Sequence, residues 1–139
     1  MNKRPRFHLA FPVTNLAETK HFYSTVLGCQ VGRTAERWAD FSLFGHQISA
    51  HLVDAMDSLS TNSVDGDAVP VRHFGLILEP PDWQALRERI EAAEVPYLIA
   101  PKTRDEAILE GQLTFFINDP SGNALEFKSF TDESLIFKA

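Results

Sequence analysis

The sequence predicts an α+β fold built from two similar halves, and three observations carry that expectation. Short apolar runs alternate with the period of strands, two segments place apolar residues at helical spacing, and both halves repeat the order strand, helix, three strands. At 139 residues the chain has the length of one domain, enough for a single core and too little for two independent ones.

The first module spans residues 5–53. Phe7 to Val13 alternates as a strand, and Thr14-Asn15 then opens a helix in which Asn15 and Glu18 have capping-box spacing. Leu16, Phe22 and Val26 share one helical face, and Leu27-Gly28 is a stop signal, with Cys29 a small buried hydrophobe after it. Gln30 to Thr34, Trp38 to Leu43 and Gln47 to Val53 are strands, the last two joined by the turn Phe44-Gly45-His46. Residues 54–70, rich in Ser, Asp, Asn, Gly and Pro, read as a linker or excursion loop. The second module spans residues 71–130. Val71 to Leu78 is a strand, Pro80-Pro81-Asp82 breaks it, and Asp82 caps a helix carrying Trp83, Leu86, Ile90 and Ala93 on one face. Pro96 to Ala100, Gln112 to Asn118 and Asn123 to Phe130 are strands, with a polar loop over Pro101 to Gly111 and the turn Asp119-Pro120-Ser121-Gly122-Asn123 between the last two.

Composition narrows the function classes. Charged residues are 23%, hydrophobic residues 44% and the formal net charge is −6, with Lys3-Arg4-Pro5-Arg6 the one basic cluster. Nucleic acid and anionic membranes are therefore not expected partners, and a small-molecule substrate is. No run reaches the eighteen apolar residues of a membrane span and no signal-peptide core opens the chain, so a cytoplasmic location is expected. A single cysteine agrees with a reducing compartment.

The chemistry lies in the strands. His8, His73 and Glu126 each sit in an alternating run, opposite bulky apolar neighbours that helices should cover. That leaves two imidazoles and one carboxylate on the uncovered face, beside the small residues Ala10, Gly75 and Ala124, as a divalent metal set. By repeat order the first-half counterpart of Glu126 falls near Gln47 to Leu52, where His51 faces the same way. On a three-ligand metal the remaining positions suit dioxygen chemistry at Fe(II). A fourth ligand from His51 suits Lewis-acid isomerase or lyase chemistry. His51 and His46 are the proton-transfer candidates, with Tyr97 as a further one, and His21 is expected to be solvent-exposed on its helix. Gln112, Thr114, Phe116 and Trp38 are the expected pocket residues, with Phe41 and Phe44 as further aromatic lining and Lys102 and Arg104 in a possible lid loop.

These residues resemble the vicinal oxygen chelate superfamily, which holds the glyoxalase, bleomycin-resistance, fosfomycin-resistance and extradiol dioxygenase groups. The resemblance rests on Phe7-His8, Phe22-Tyr23 to Leu27-Gly28, His73-Phe74 and Asp119-Pro120-Ser121-Gly122-Asn123 through Leu125-Glu126-Phe127, and is greatest to small extradiol-type dioxygenases. It implies paired βαβββ modules forming a cup-shaped mixed sheet with helices outside, around one divalent metal held by His8, His73 and Glu126. Fe(II) is the first expectation and Zn(II), Ni(II) or Mn(II) the alternatives, with an aromatic or other vicinal-oxygen substrate and a homodimer as the working form. A metal-free protein that binds aromatic compounds, as the bleomycin-resistance group does, is the reading from another class. Ring-cleaving members carry a tyrosine about ten residues before the glutamate ligand, where this chain has Phe115-Phe116.

Overall fold

The computed structural model describes residues 4–103 and 111–138. The elements run β1 (His8–Val13), α1 (Leu16–His21) continued by a π-helical turn (Phe22–Val26), β2 (Gln30–Ala35), β3 (Trp38–Leu43) and β4 (His46–Leu52). Then follow β5 (Thr61–Val64), β6 (Asp67–Pro70), β7 (His73–Leu78), α2 (Pro80–Ala92), β8 (Tyr97–Thr103), β9 (Gln112–Asn118) and β10 (Ala124–Phe130). One four-stranded sheet has the order β1-β4-β3-β2, a second has β7-β10-β9-β8, and β5 pairs with β6. In each larger sheet the outer pair, β1 with β4 or β7 with β10, is parallel and the others are antiparallel. The expected α+β class and the βαβββ repeat are both present.

The chain forms two compact units, Met1–Asp57 with Asp119–Asn123, and Ser58–Asn118 with Ala124–Ala139. In the first, Asn15 caps α1 by accepting from the Glu18 amide at 2.9 Å, and α1 packs on β3 and β4. The fully buried Tyr23 lies 5.1 to 5.5 Å from the rings of Phe11, Phe22 and Phe41. Phe41 is therefore part of the buried aromatic cluster, and it also contributes to the lining of a concavity in this unit. Phe44 and Gly45 both have positive φ, 51° and 88°, which makes a two-residue hairpin loop of the kind that matches strand twist. The exposed Phe44 forms that loop, and His46, expected in the turn, is the first residue of β4. His21 is exposed at the end of α1, and Cys29 is buried.

Segment Asp119–Asn123 is organised by one carboxylate. Asp119 accepts from the Tyr23 hydroxyl at 2.8 Å, the amides of Ser121 and Asn123 at 2.9 and 2.8 Å, and the Asn123 side chain at 2.9 Å. Asn123 also donates to the Pro12 carbonyl at 2.8 Å. Burial and then Asp119 push the Tyr23 hydroxyl well above its ordinary pKa, so it stays a donor.

In the second unit the prolines start α2 instead of breaking the chain before it. Glu79 is the N-cap and Pro80 and Pro81 take the first helical positions, where their missing N–H groups would have no helical partner in any case. Trp83, Leu86 and Ile90 are buried, and the Trp83 indole donates to the Phe127 carbonyl at 2.9 Å. Tyr97 lies 5.5 Å from Phe115 and donates to Glu91 of α2 at 2.8 Å. It belongs to the helix-covered face and not to the cavity face expected for it.

Residues 54–70 are not simply a linker. Asp65 and Gly66, with φ of 49° and 83°, close the β5–β6 hairpin, and Val69 is buried with Ile99 and Phe116. The hairpin thus covers part of the second sheet on the face opposite α2, and Lys102 is tied to Asp67 by an ion pair. Lys102 lies in β8, which runs to Thr103 where a loop was expected to begin at Pro101; Arg104 lies outside the described residues. Among the described residues no helix is long and apolar enough to cross a membrane.

Candidate metal-binding site

On the face of the second sheet opposite α2, β7 and β10 bring His73 and Glu126 together. Their register pairs His73 with Ala124 and Gly75 with Glu126, so the imidazole is diagonal to the carboxylate, and His73 Nε2 lies 3.2 Å from Glu126 Oε1. The other ring nitrogen, Nδ1, is 2.7 Å from the Pro70 carbonyl. A carbonyl can only accept, so Nδ1 carries hydrogen and the neutral ring presents its Nε2 lone pair to the carboxylate. Two acceptors facing each other at this distance call for a cation between them, either a proton or a metal ion. Thr114 donates to the other carboxylate oxygen at 2.6 Å, and Lys128 Nζ is 3.7 Å from Oε1. The Phe116 ring stands edge-on to His73 at 5.1 Å. Supporting contacts of this kind fix a ligand's tautomer and orientation. His73, Gly75, Leu76, Ile77, Glu126 and Lys128 line a concavity of about 200 Å³.

The electrostatics agree with a cation-seeking pair. Hydrogen bonding to Glu126 raises the His73 pKa, the Pro70 carbonyl adds to it, and partial burial opposes both. Burial pushes Glu126 up, yet its contacts with His73, Thr114 and Lys128 outweigh that and hold the carboxyl below its usual range. In metal-free protein the raised histidine contributes stability that is complete below about pH 6.5 and is lost as pH rises through its higher folded value. The lowered carboxyl contributes stability present above about pH 4.3 and lost as pH falls through its lower folded value. Thermal melts of chelator-treated protein are expected to be most favourable between these limits and to decline toward pH 8, with Glu126→Gln flattening the decline. A parent midpoint unchanged from pH 6 to pH 8 contradicts the pairing.

His8 is an exposed residue of β1 in the first unit, paired across to Gln47. Within neither unit do three His, Cys, Asp or Glu side chains gather among the described residues. His51 requires a correction. His8 faces Gln47 as His73 faces Ala124, so two residues further on Ser49 is the counterpart of Glu126, and His51 is the counterpart of Lys128. His51 does lie on the uncovered face, paired with Trp38, but two residues beyond the counterpart of Glu126. Ser49 is buried and its hydroxyl donates to Asp40 at 2.5 Å. His46 accepts from the Phe7 amide through Nδ1 at 3.0 Å.

Gln112, Thr114 and Phe116 share the face of Glu126, as alternation along β9 predicts, and all are buried. Thr114 serves the carboxylate directly, and Phe116 is sealed by Val69 of the hairpin. Lys128, not anticipated from the sequence, lies two residues after Glu126 and thus on the same face, a spacing that alternation alone could have picked out. Asp40 and Ser49 were missed because only strand register relates them to Glu126.

Residues 7–127 match the family model described as the Glyoxalase/Bleomycin resistance protein/Dioxygenase superfamily. Among solved structures, a glyoxalase/bleomycin resistance protein/dioxygenase from Alicyclobacillus acidocaldarius has a TM-score of 0.83 at 32% identity, covering 98% of both chains. The fosfomycin resistance protein FosX from Listeria monocytogenes has a TM-score of 0.70 at 18% identity, covering 96% of this chain and 98% of its own. Lactoylglutathione lyase from Agrobacterium tumefaciens has a TM-score of 0.64 at 16% identity, covering 93% and 96%. The latter two likenesses are of fold.

Proposed function

We propose, on the premise that this chain belongs to the glyoxalase/bleomycin resistance protein/dioxygenase superfamily, that it is a metal-dependent enzyme acting on a small molecule with adjacent oxygen atoms. His8, His73 and Glu126 are the residues that would hold a divalent metal. The observation carrying this reading is the His73–Glu126 pair, whose Nε2 and Oε1 atoms lie 3.2 Å apart, backed by Pro70, Thr114 and Lys128. That donor set fits a divalent cation, and a FosX structure from Listeria monocytogenes is described as complexed with Mn(II).

Ser49 at the fourth repeat position argues for three protein ligands, since its hydroxyl is already committed to Asp40. Two histidines and one carboxylate are the set used by non-haem Fe(II) oxygenases, so an extradiol-type dioxygenase working with Fe(II) is the leading reading. When bound, the metal would supply Lewis acidity toward the substrate oxygens and, as iron, a redox partner for dioxygen. The protein's own part is orientation and water exclusion. Pro70 fixes the His73 tautomer, Thr114 holds the carboxylate rotamer, and Phe116 keeps the imidazole edge dry.

A second reading, an isomerase or lyase using Zn(II), Ni(II) or Mn(II), is favoured by Phe116 itself. This residue sits directly across from Glu126, and a phenyl ring carries no proton. Oxygen uptake separates the two. Protein loaded anaerobically with Fe(II) and mixed with catechols is expected to consume dioxygen and form ring-opened product only in air. Product formed equally well without oxygen moves the assignment to the second reading.

A further inference from the structure

The first unit carries a larger concavity, of about 340 Å³, on the uncovered face of its sheet. Arg6, Gln30, Arg33, Asp40, His46 and Gln47 contribute to its lining. Its form comes from a bulge in β2. Val31 pairs with Phe41 and Thr34 with Ala39, so both Gly32 and Arg33 stand opposite the single residue Asp40. Without the extra residue, strict alternation would send Arg33 to the helix-covered face. The bulge re-aims it, and its guanidinium lies 5.6 Å over the ring of Trp38 on the uncovered face. Gly32 is fitted to this place, because a Cβ there would come within 3.3 Å of the Asp40 Cβ.

Two guanidiniums, both permanently charged, thus line the same hollow as one carboxylate in a chain whose formal net charge is −6. The Ser49 hydroxyl donates to Asp40 at 2.5 Å, which fixes the carboxylate's orientation. In the second sheet the equivalent place in the last strand belongs to Glu126. In the first sheet the carboxylate has moved one strand outward, from the ligand position on β4 to β3 and into this concavity. Gln47 joins the concavity to the proposed metal ligand, because it lines the hollow and is the direct cross-strand partner of His8.

The geometry points to an anion-recognition site: Arg6 and Arg33 bind a carboxylate or phosphonate group of the substrate, while Asp40 and Gln47 accept from and donate to its hydroxyl groups. The inference deepens the proposed reaction, on which it rests for the word substrate, by naming the class as a small hydroxylated organic acid. Charge-assisted contacts from guanidinium to an oxyanion are strong and geometrically selective.

Calorimetric titration of chelator-treated protein tests this without the metal. Malate and phosphonoacetate are expected to bind, diethyl malate is not, and Arg6→Gln or Arg33→Gln should each weaken the two anions about tenfold. Added salt should weaken them as well. His8→Ala should leave anion binding intact, so failure of the metal reading leaves this result standing. Diester binding as tight as malate, no binding of either anion, or anion affinity unchanged from the parent's in both arginine variants overturns the proposal.

Discussion

Gly75→Ala is expected to break the second sheet at the proposed ligand. Gly75 faces Glu126 across the parallel pair of β7 and β10, and a Cβ at this position would fall 1.6 Å from the Glu126 carbonyl oxygen and 2.6 Å from its carbon. Those are backbone atoms held on their other side by β9, so no side-chain rotation relieves the clash. The strand must move, and His73 moves with it. The expected loss is about 3 kcal/mol or more, at or above the upper range for overpacking. Urea unfolding followed by circular dichroism measures it, and a midpoint equal to the parent's contradicts the account. Glycine is thus required here for strand approach, a stronger reason than the space for a ligand that its small size first suggests.

Asp119→Ala is expected to be comparably severe in the first unit. The carboxylate is 5% exposed and accepts four hydrogen bonds, one of them from the wholly buried Tyr23. Alanine strands the buried Tyr23 hydroxyl and removes the acceptor of three part-buried donors, and with about 1–3 kcal/mol for an unsatisfied buried donor the combined loss should reach about 3 kcal/mol. Tyr23→Phe is the control. It deletes one donor, leaves the carboxylate with three, and should cost about 1 kcal/mol. Equal losses in the two variants would mean that the network contributes nothing beyond its single tyrosine bond.

Much of the fold is legible in the sequence because alternation and turn chemistry point the same way. Trp38 to Leu43 and Gln112 to Asn118 match their strands end to end, and the burial of Trp83, Leu86 and Ile90 follows helical spacing. The β5–β6 hairpin is harder to see. β5 is wholly exposed and opens with three polar residues, and only Val69 and Pro70 of β6 are buried, so composition mimics a loop and only Asp65-Gly66 signals the turn. Pro80-Pro81 carries two opposite meanings, chain breaker and helix opener, and the helical run after it decides for the second.

The site divides in the same way. His73 and Glu126 stand out as polar residues opposite apolar ones, and alternation puts them on one face. Alternation cannot choose among Gln47, Ser49 and His51, which all share a face. Residue chemistry selects His51, whereas pairing register, a long-range property, selects Ser49. The bulge that turns Arg33 is hidden for the same reason, since it exists only relative to the partner strand.

The central claim is that His8, His73 and Glu126 hold one divalent metal and His51 does not. Metal analysis of purified protein and four alanine variants tests it most directly, with circular dichroism to establish that each is folded. The account predicts stoichiometric metal in the parent and in His51→Ala, and its loss in His8→Ala, His73→Ala and Glu126→Ala. Metal retained in folded His73→Ala and Glu126→Ala, or lost in His51→Ala, would contradict it.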